Sequence, residues 1–369
     1  MAKYKRRPKV KRYHRSFYSR GTRIKRGVGI VVLVLAVLGA AWLAAPHVLD
    51  WATHTWYTVV KNRDLEAESA SRAASSEAAA SSAAAAEAAS SSQAEAQPQE
   101  KELDGKAVTG GSWAEVDVTA LTDDAAIRTA AQQLKAQGAD YGVVTLKDAN
   151  GSIYYASQVA AAAGSIAENT ADPARIAAIF REEGVIPVAQ IAAFRDPVSC
   201  YADRTMAVHY SGTQLWLDNV SAKAGGKPWL DPSAASAVQY VGDLIEELRG
   251  MGFEQVVLTG VQFPEIITRK QEFAAAGGKS REGRAALLAA DISTWQARFG
   301  SSVVLWLSYP AGQCADDSDA LGTPAVQLGM QNLIVTADTL DAAARTTLQE
   351  SAQAAGVQNV VFQMTDSFQ

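Results

Sequence analysis

From Leu103 to Gln369 the chain repeats one pattern: a short β-branched run, a loop, then an amphipathic helical run. The β runs are 114–119, 141–146, 186–194, 255–263, 302–309, 333–337 and 357–364. Helical runs fall at 123–137, 173–183, 232–251, 281–299 and 340–355. Asp172-Pro173 and Asp231-Pro232 each place a capping residue before a proline at the first helical position, and Gly138, Gly184 and Gly252 follow last turns. Strict β/α alternation predicts a parallel sheet covered by helices. At about 250 residues its natural form is an eight-fold β/α barrel. Seven strands are countable, so an incomplete or degenerate barrel is part of the expectation. An open doubly wound sheet is the alternative, although the first strand-to-helix turn lacks a glycine-rich phosphate loop.

The rest of the chain cannot build such a core. Twelve basic residues and no acid precede Asp50, so +12 there is set against −17 in the remainder to give the net −5. Residues 1–26 read as a basic cytoplasmic tail. Residues 27–49 contain no Asp, Glu, Lys or Arg, and a run of that length can cross a hydrocarbon core of about 30 Å as a helix. Basic residues crowd the amino side, with only Lys61 and Arg63 close after it, which predicts a cytoplasmic N-terminus and an exported C-terminal domain. A cleaved signal peptide with Gly39-Ala40-Ala41 as its cleavage site is the rival reading, against which the 26-residue basic lead is long. The basic tail next to a membrane span is expected to meet anionic lipid rather than nucleic acid. Residues 50–102 form a juxtamembrane segment and stalk. Between Leu65 and Glu100, 15 of 36 residues are Ala, nine Ser and six Glu, with one large aliphatic, too little apolar surface for a core.

Function in a barrel is expected at the carboxyl ends of the strands. Several end sequences stand out: Thr145-Leu146-Lys147-Asp148 with Gly151; Ile186-Pro187-Val188-Ala189-Gln190-Ile191 leading to Phe194-Arg195-Asp196-Pro197; Ala207-Val208 with Gly212 and Trp216; Trp229-Leu230-Asp231-Pro232; and Gly252-Phe253 leading through Thr259-Gly260 to Gln262-Phe263-Pro264. In order and spacing these resemble a glycoside hydrolase domain family, formerly a domain of unknown function and placed near α-amylase-type barrels. The likeness covers Val143 to Pro264. It implies a barrel acting on carbohydrate, with no cofactor. The chain departs from the family pattern where chemistry is at stake. Thr145 stands where the family has Asp, Thr259-Gly260 where it has Asp-Tyr, and Gln190 and Gln262 where it has Arg.

Glycoside cleavage ordinarily needs two carboxyl groups about 5–10 Å apart, one to protonate the leaving oxygen and one as nucleophile or base. A threonine hydroxyl does neither, so the departures predict a catalytically degenerate domain that binds cell-surface or wall glycan. Relocated acids are the alternative. Asp148, Asp196 and Glu265 are the catalytic candidates, while Lys147, Gln190, Arg195, Trp216, Trp229, Asp231 and Gln262 are the substrate-binding candidates. Several have a plainer reading: Asp231 as an N-cap, Asp148 as a turn former, Arg195 and Asp196 as fixing a turn or pairing with neighbouring charges, Glu265 as a solvated loop charge, and Trp216 and Trp229 as pins for the long loop. A protein-interaction module with no glycan site is the third possibility. His209 is the one histidine of the domain, no G-x-S-x-G elbow exists, and no Cys/His spacing suggests zinc. Cys200 and Cys314 both follow strand ends and are a candidate disulfide outside the membrane.

Overall fold

The computed structural model describes residues 111–159, 164–219, 221–300 and 302–364. The predicted membrane span at 27–49, the basic tail and the stalk lie outside the described residues. Among those described, no helix is long and apolar enough to cross a membrane.

In chain order the elements are β1 (Trp113–Val116), α1 (Asp124–Ala136), β2 (Tyr141–Lys147), α2 (Pro173–Glu182), β3 (Ile186–Ala192), α3 (Pro197–Ala202), β4 (His209–Tyr210), β5 (Gln214–Leu215), α4 (Ala235–Gly250), β6 (Gln255–Thr259), β7 (Gln271–Glu272), α5 (Arg281–Phe299), β8 (Val304–Pro310), α6 (Ala311–Ala315), β9 (Asn332–Ala337), α7 (Ala342–Ala354) and β10 (Asn359–Met364). Seven strands form one parallel sheet in the order β1-β2-β3-β6-β8-β9-β10. Every strand lies beside the next main-sheet strand in the chain. This is the order of a β/α barrel and not of a doubly wound sheet, whose order reverses.

The sheet curls. Trp113 of β1 stacks on Tyr141 with ring centroids 4.3 Å apart and meets Trp306 of β8 edge-on at 5.2 Å, although three strands separate β1 from β8. Tyr141, Val143, Val188, Val257, Trp306, Ile334 and Val361 form one inner cluster with Trp113 packed against it, so all seven strands contribute. Because side chains alternate along a strand, the other face carries a second set. Val144, Leu146, Ala189, Ile191, Val256, Leu258, Leu305, Leu307, Leu333 and Val335 pack there against the helices. Among the described residues β1 and β10 are not paired, so the barrel is open at that seam. The structure is thus an α/β barrel-like fold of seven strands.

Local signals explain the helix limits. Asp123, Asp172, Ser280 and Asp341 each accept a backbone N–H three residues on, which satisfies a donor the helix itself leaves free. Gly138, Gly184 and Gly252 have φ of 79°, 78° and 98°, the left-handed stop expected of them. Asp231-Pro232 behaves differently. The helix α4 starts at Ala235, with Ala234 before it and no side-chain cap. The Asp231 carboxylate is committed to a turn, accepting from Ser233 N at 2.8 Å and Ser233 Oγ at 2.7 Å.

The long excursion after β3, followed by the segment around β7, builds a small structure of its own. Strands β5, β4 and β7 form an antiparallel sheet. Val208, Tyr210, Trp216 and Trp229 pack beside it, with Phe273 against them.

Candidate functional site

At the carboxyl ends of the parallel strands lies a cleft of about 390 Å³. Its lining includes Glu115 of β1, Gln190 and Ala192 of β3, Thr259 of β6, Ser308 to Pro310 of β8, Thr336 of β9 and Gln363 of β10. Loops add Ala149, Arg195, Trp229, Gly260, Gln262 and Glu265, and α6 adds Gln313. Five of these strand residues follow the inner apolar cluster by the two-residue period. Val188 is succeeded by Gln190, Val257 by Thr259, Trp306 by Ser308, Ile334 by Thr336 and Val361 by Gln363. The barrel interior thus changes from apolar to polar within one step along each of these strands. Thr145, next after Val143, accepts a hydrogen bond from Gln190 Nε2 at 2.9 Å and so fixes that amide.

Of the predicted residues, Gln190, Arg195, Trp229, Gln262 and Glu265 come together in this cleft. Trp229 is 3% exposed and anchored by its Nε1–H to Asp218 Oδ2 at 3.0 Å. The Arg195 guanidinium lies over its ring, 5.6 Å from the centroid. Gln262 accepts from Gln313 Nε2 at 3.2 Å, leaving Gln313 Oε1 buried without a partner. Gly260, at φ 64°, takes the chain out of β6 earlier than predicted, and a Cβ there would sit 3.7 Å from that of Arg195. Only backbone occupies the wall at this point.

The other predicted residues are placed elsewhere, and the reasons are specific. Asp196 is wholly buried: it accepts from Ser199 N at 2.9 Å, capping α3, and from the Ser199 and Tyr240 hydroxyls at 2.9 and 3.0 Å. Lys147, 1% exposed, completes the cluster with Nζ 3.1 Å from Asp196 Oδ2 and 2.6 Å from the Ala192 carbonyl. These two are not substrate groups but an internal ion pair joining β2 to the turn after β3. Burial beside that carboxylate pushes the Tyr240 hydroxyl and the Cys200 thiol up from their ordinary values. Asp148 does not line the cleft. Its carboxylate accepts from Asn150 N, Ser152 N and Tyr154 OH at 2.9, 2.9 and 3.0 Å, which shapes the turn. Gly151 belongs to the same device: its φ is 84°, and a Cβ would come within 2.5 Å of Asp196 Oδ1.

Asp231 is likewise internal, clamping the two excursion segments by accepting from Ala274 N at 2.6 Å; desolvation raises it above the usual carboxylate range. Trp216 is 2% exposed and packed within the excursion, so it offers no face to a sugar. The candidate disulfide is absent: Cys200 and Cys314 are buried free thiols. They sit on α3 and α6, after strands that β6 separates, and burial pushes Cys314 up to about 12.

Sequence reading missed Glu115. It lies at an inner position two residues after Trp113, on a strand predicted to begin one residue later. The period-two register of Trp113 and Glu115 against Tyr141 and Val143 is the signal that locates it. Among the described residues lining the cleft, Glu115 and Glu265 are the two carboxylates, and both are exposed.

The profile of a family described as "Putative glycosyl hydrolase domain" matches residues 116–303, slightly more than half of the chain and every loop of the cleft up to α5. The chain belongs to that family. No curated protein matches this chain. Among solved structures, a hypothetical protein from Ruminiclostridium thermocellum is similar at 19% identity and a TM-score of 0.45, over 52% of this chain and 95% of that one. A β-N-acetylhexosaminidase from Streptomyces coelicolor is similar at 10% identity and 0.43, over 70% of this chain and 49% of the other. An α-galactosidase from Thermus thermophilus is similar at 12% and 0.40, over 69% and 47%. The chain therefore spans about half the length of these two glycosidases.

Proposed function

We propose that the chain is a membrane-anchored, extracytoplasmic glycan-binding domain that has lost the hydrolytic chemistry of its family. One observation carries this reading. From β2 to β10 the inner side chains at the strand ends are amides and hydroxyls: Thr145, Gln190, Thr259, Ser308, Thr336 and Gln363. Such groups donate to and accept from sugar hydroxyls. They supply neither the carboxylate that stabilises an oxocarbenium-like centre nor the acid that protonates a leaving oxygen. The Trp229 indole backs the cleft beneath Arg195.

The test uses the full-length chain in a detergent without a sugar headgroup, offered surface and wall oligosaccharides. Calorimetry is expected to detect binding. Reducing-end release is expected to stay at the level of the Glu115→Gln/Glu265→Gln double variant. A second reading, retained hydrolysis, is favoured by Glu115 and Glu265 lining one cleft. Turnover that either single substitution abolishes would establish it instead. If neither binding nor turnover occurs with any saccharide, the protein-interaction reading replaces both.

The anchor rests on the uncharged residues 27–49 and the basic block before them. The chain is expected to stay with membranes through alkaline carbonate extraction. Protease added outside intact cells is expected to remove the C-terminal domain and spare the basic tail. Release by carbonate would remove the anchor from the reading, and protection of the domain would reverse its orientation.

A further inference from the structure

The charges of the cleft are unevenly provided for. Glu115 and Glu265 line it as acids, and among the described lining residues Arg195 is the one cation. Its guanidinium forms no ion pair and no hydrogen bond with another described residue, in contrast to Arg128, Arg175, Arg249, Arg281 and Arg298, which all hold acids. Yet Arg195 is not simply solvated. Its charge lies over Trp229, the indole is held by Asp218, and Gly260 places no side chain against its stem. An aromatic face orients a guanidinium without using its N–H donors, so the fork stays available. Five N–H donors in a rigid plane match a carboxylate or a phosphate group, commonly by two parallel hydrogen bonds.

Resting on the glycan-binding reading, we infer that the cleft takes an acidic saccharide, and that Arg195 on its Trp229 support receives the anionic group. The neutral part of the ligand occupies the amide- and hydroxyl-lined floor formed by Gln190, Thr259, Ser308 and Gln363. Two anionic groups share the required chemistry, a uronic-acid carboxylate and a phosphate ester. They differ in what they ask of the cation. A planar carboxylate is matched by the fork, whereas a phosphate also accepts a point charge.

The experiment measures binding of three oligosaccharides of equal length to the full-length chain at low salt: a neutral glucan, a uronic-acid oligomer and a phosphate-substituted glucan. Wild type is expected to prefer at least one acidic ligand over the neutral one by tenfold or more. Arg195→Gln is expected to abolish that preference. Arg195→Lys is expected to keep it for phosphate and to lose most of it for the uronate. Added salt should erode the preference, because the attraction is between partly exposed charges. Equal affinity for all three ligands, unchanged in Arg195→Gln, would overturn the inference and leave the glycan-binding reading intact. Binding of none of the three, with none on the wider saccharide panel, would remove both. A folded state of each variant, read by its thermal transition, separates lost recognition from lost structure.

Discussion

Replacing Lys147 with Met is expected to destabilise the domain by about 3–5 kcal/mol, because it leaves the Asp196 carboxylate buried without its cation. Asp196 and the Lys147 ammonium have no accessible side-chain surface, so water cannot take the place of either partner without opening the structure. Two hydroxyls and one backbone N–H remain on Asp196 after the substitution, enough to orient the carboxylate but not to neutralise it. The loss should also reach beyond the pair. Lys147 ties the end of β2 to the Ala192 carbonyl, while Asp196 caps α3 and Tyr240 brings in α4. At roughly 2–4 °C per kcal/mol for a domain of this size, the thermal midpoint should fall by about 10 °C. The double variant Lys147→Met/Asp196→Asn is expected to recover a substantial part of the loss, since the uncompensated charge is then gone. Circular-dichroism melts of the single and double variants decide it. A single variant within 1 kcal/mol of wild type would show that the ion pair is not what joins these elements.

Asp291→Asn should act in the opposite direction, increasingly as pH rises from about 4 to about 8. Asp291 lies on α5, buried, with Oδ2 lacking a hydrogen-bond partner. Desolvation, with a smaller contribution from the Asp231 carboxylate, raises it from 3.8 to about 8. Between those values the folded protein holds a proton that the unfolded chain has released. Stability therefore falls as pH rises through that window; it is fully present below about pH 4 and lost by about pH 8. At about 1.4 kcal/mol per pH unit a rigid site would lose roughly 5–6 kcal/mol, and relaxation with water entry brings the expected figure to about 3 kcal/mol. Asparagine keeps the shape and cannot ionise, so the variant should be more stable than wild type at pH 8, with the advantage shrinking towards pH 4. Urea denaturation of both proteins from pH 4 to 9 measures the slopes. Parallel curves would mean that Asp291 does not bind its proton more tightly in the folded state.

The seven strands and five longer helices were legible in the sequence because their signals are local. A β-branched run bounded by turn residues, an aspartate before a helix and a glycine after it act within a few residues of themselves. The limits shifted where a tertiary partner competed. Asp231 gave its carboxylate to Ser233 and Ala274 rather than to α4, and β6 ended at Thr259, before Gly260. The short helices α3 and α6 and the antiparallel β4, β5 and β7 were not legible. Each is too short to show a period, and the small sheet exists through packing around Trp216, Trp229 and Phe273.

The candidate site divides along the same line. Residue types and their order around Lys147, Asp196, Trp229 and Asp231 sufficed to identify the family, because motif spacing is a property of the chain. They could not say which of those residues face a ligand. Whether an acid lies in a cleft or inside a wall depends on the alternation of each strand and on which partners its atoms meet. These pairings join residues far apart in sequence, such as Lys147 with Asp196 and Arg195 with Trp229. By itself the sequence determined the charge segregation along the chain, the β/α order and the hydroxyl residues Thr145 and Thr259 at the ends of β2 and β6. The tertiary structure alone decided that Lys147 and Asp196 neutralise each other inside the wall, that Glu115 enters the cleft, and that Arg195 meets no acid there among the described residues.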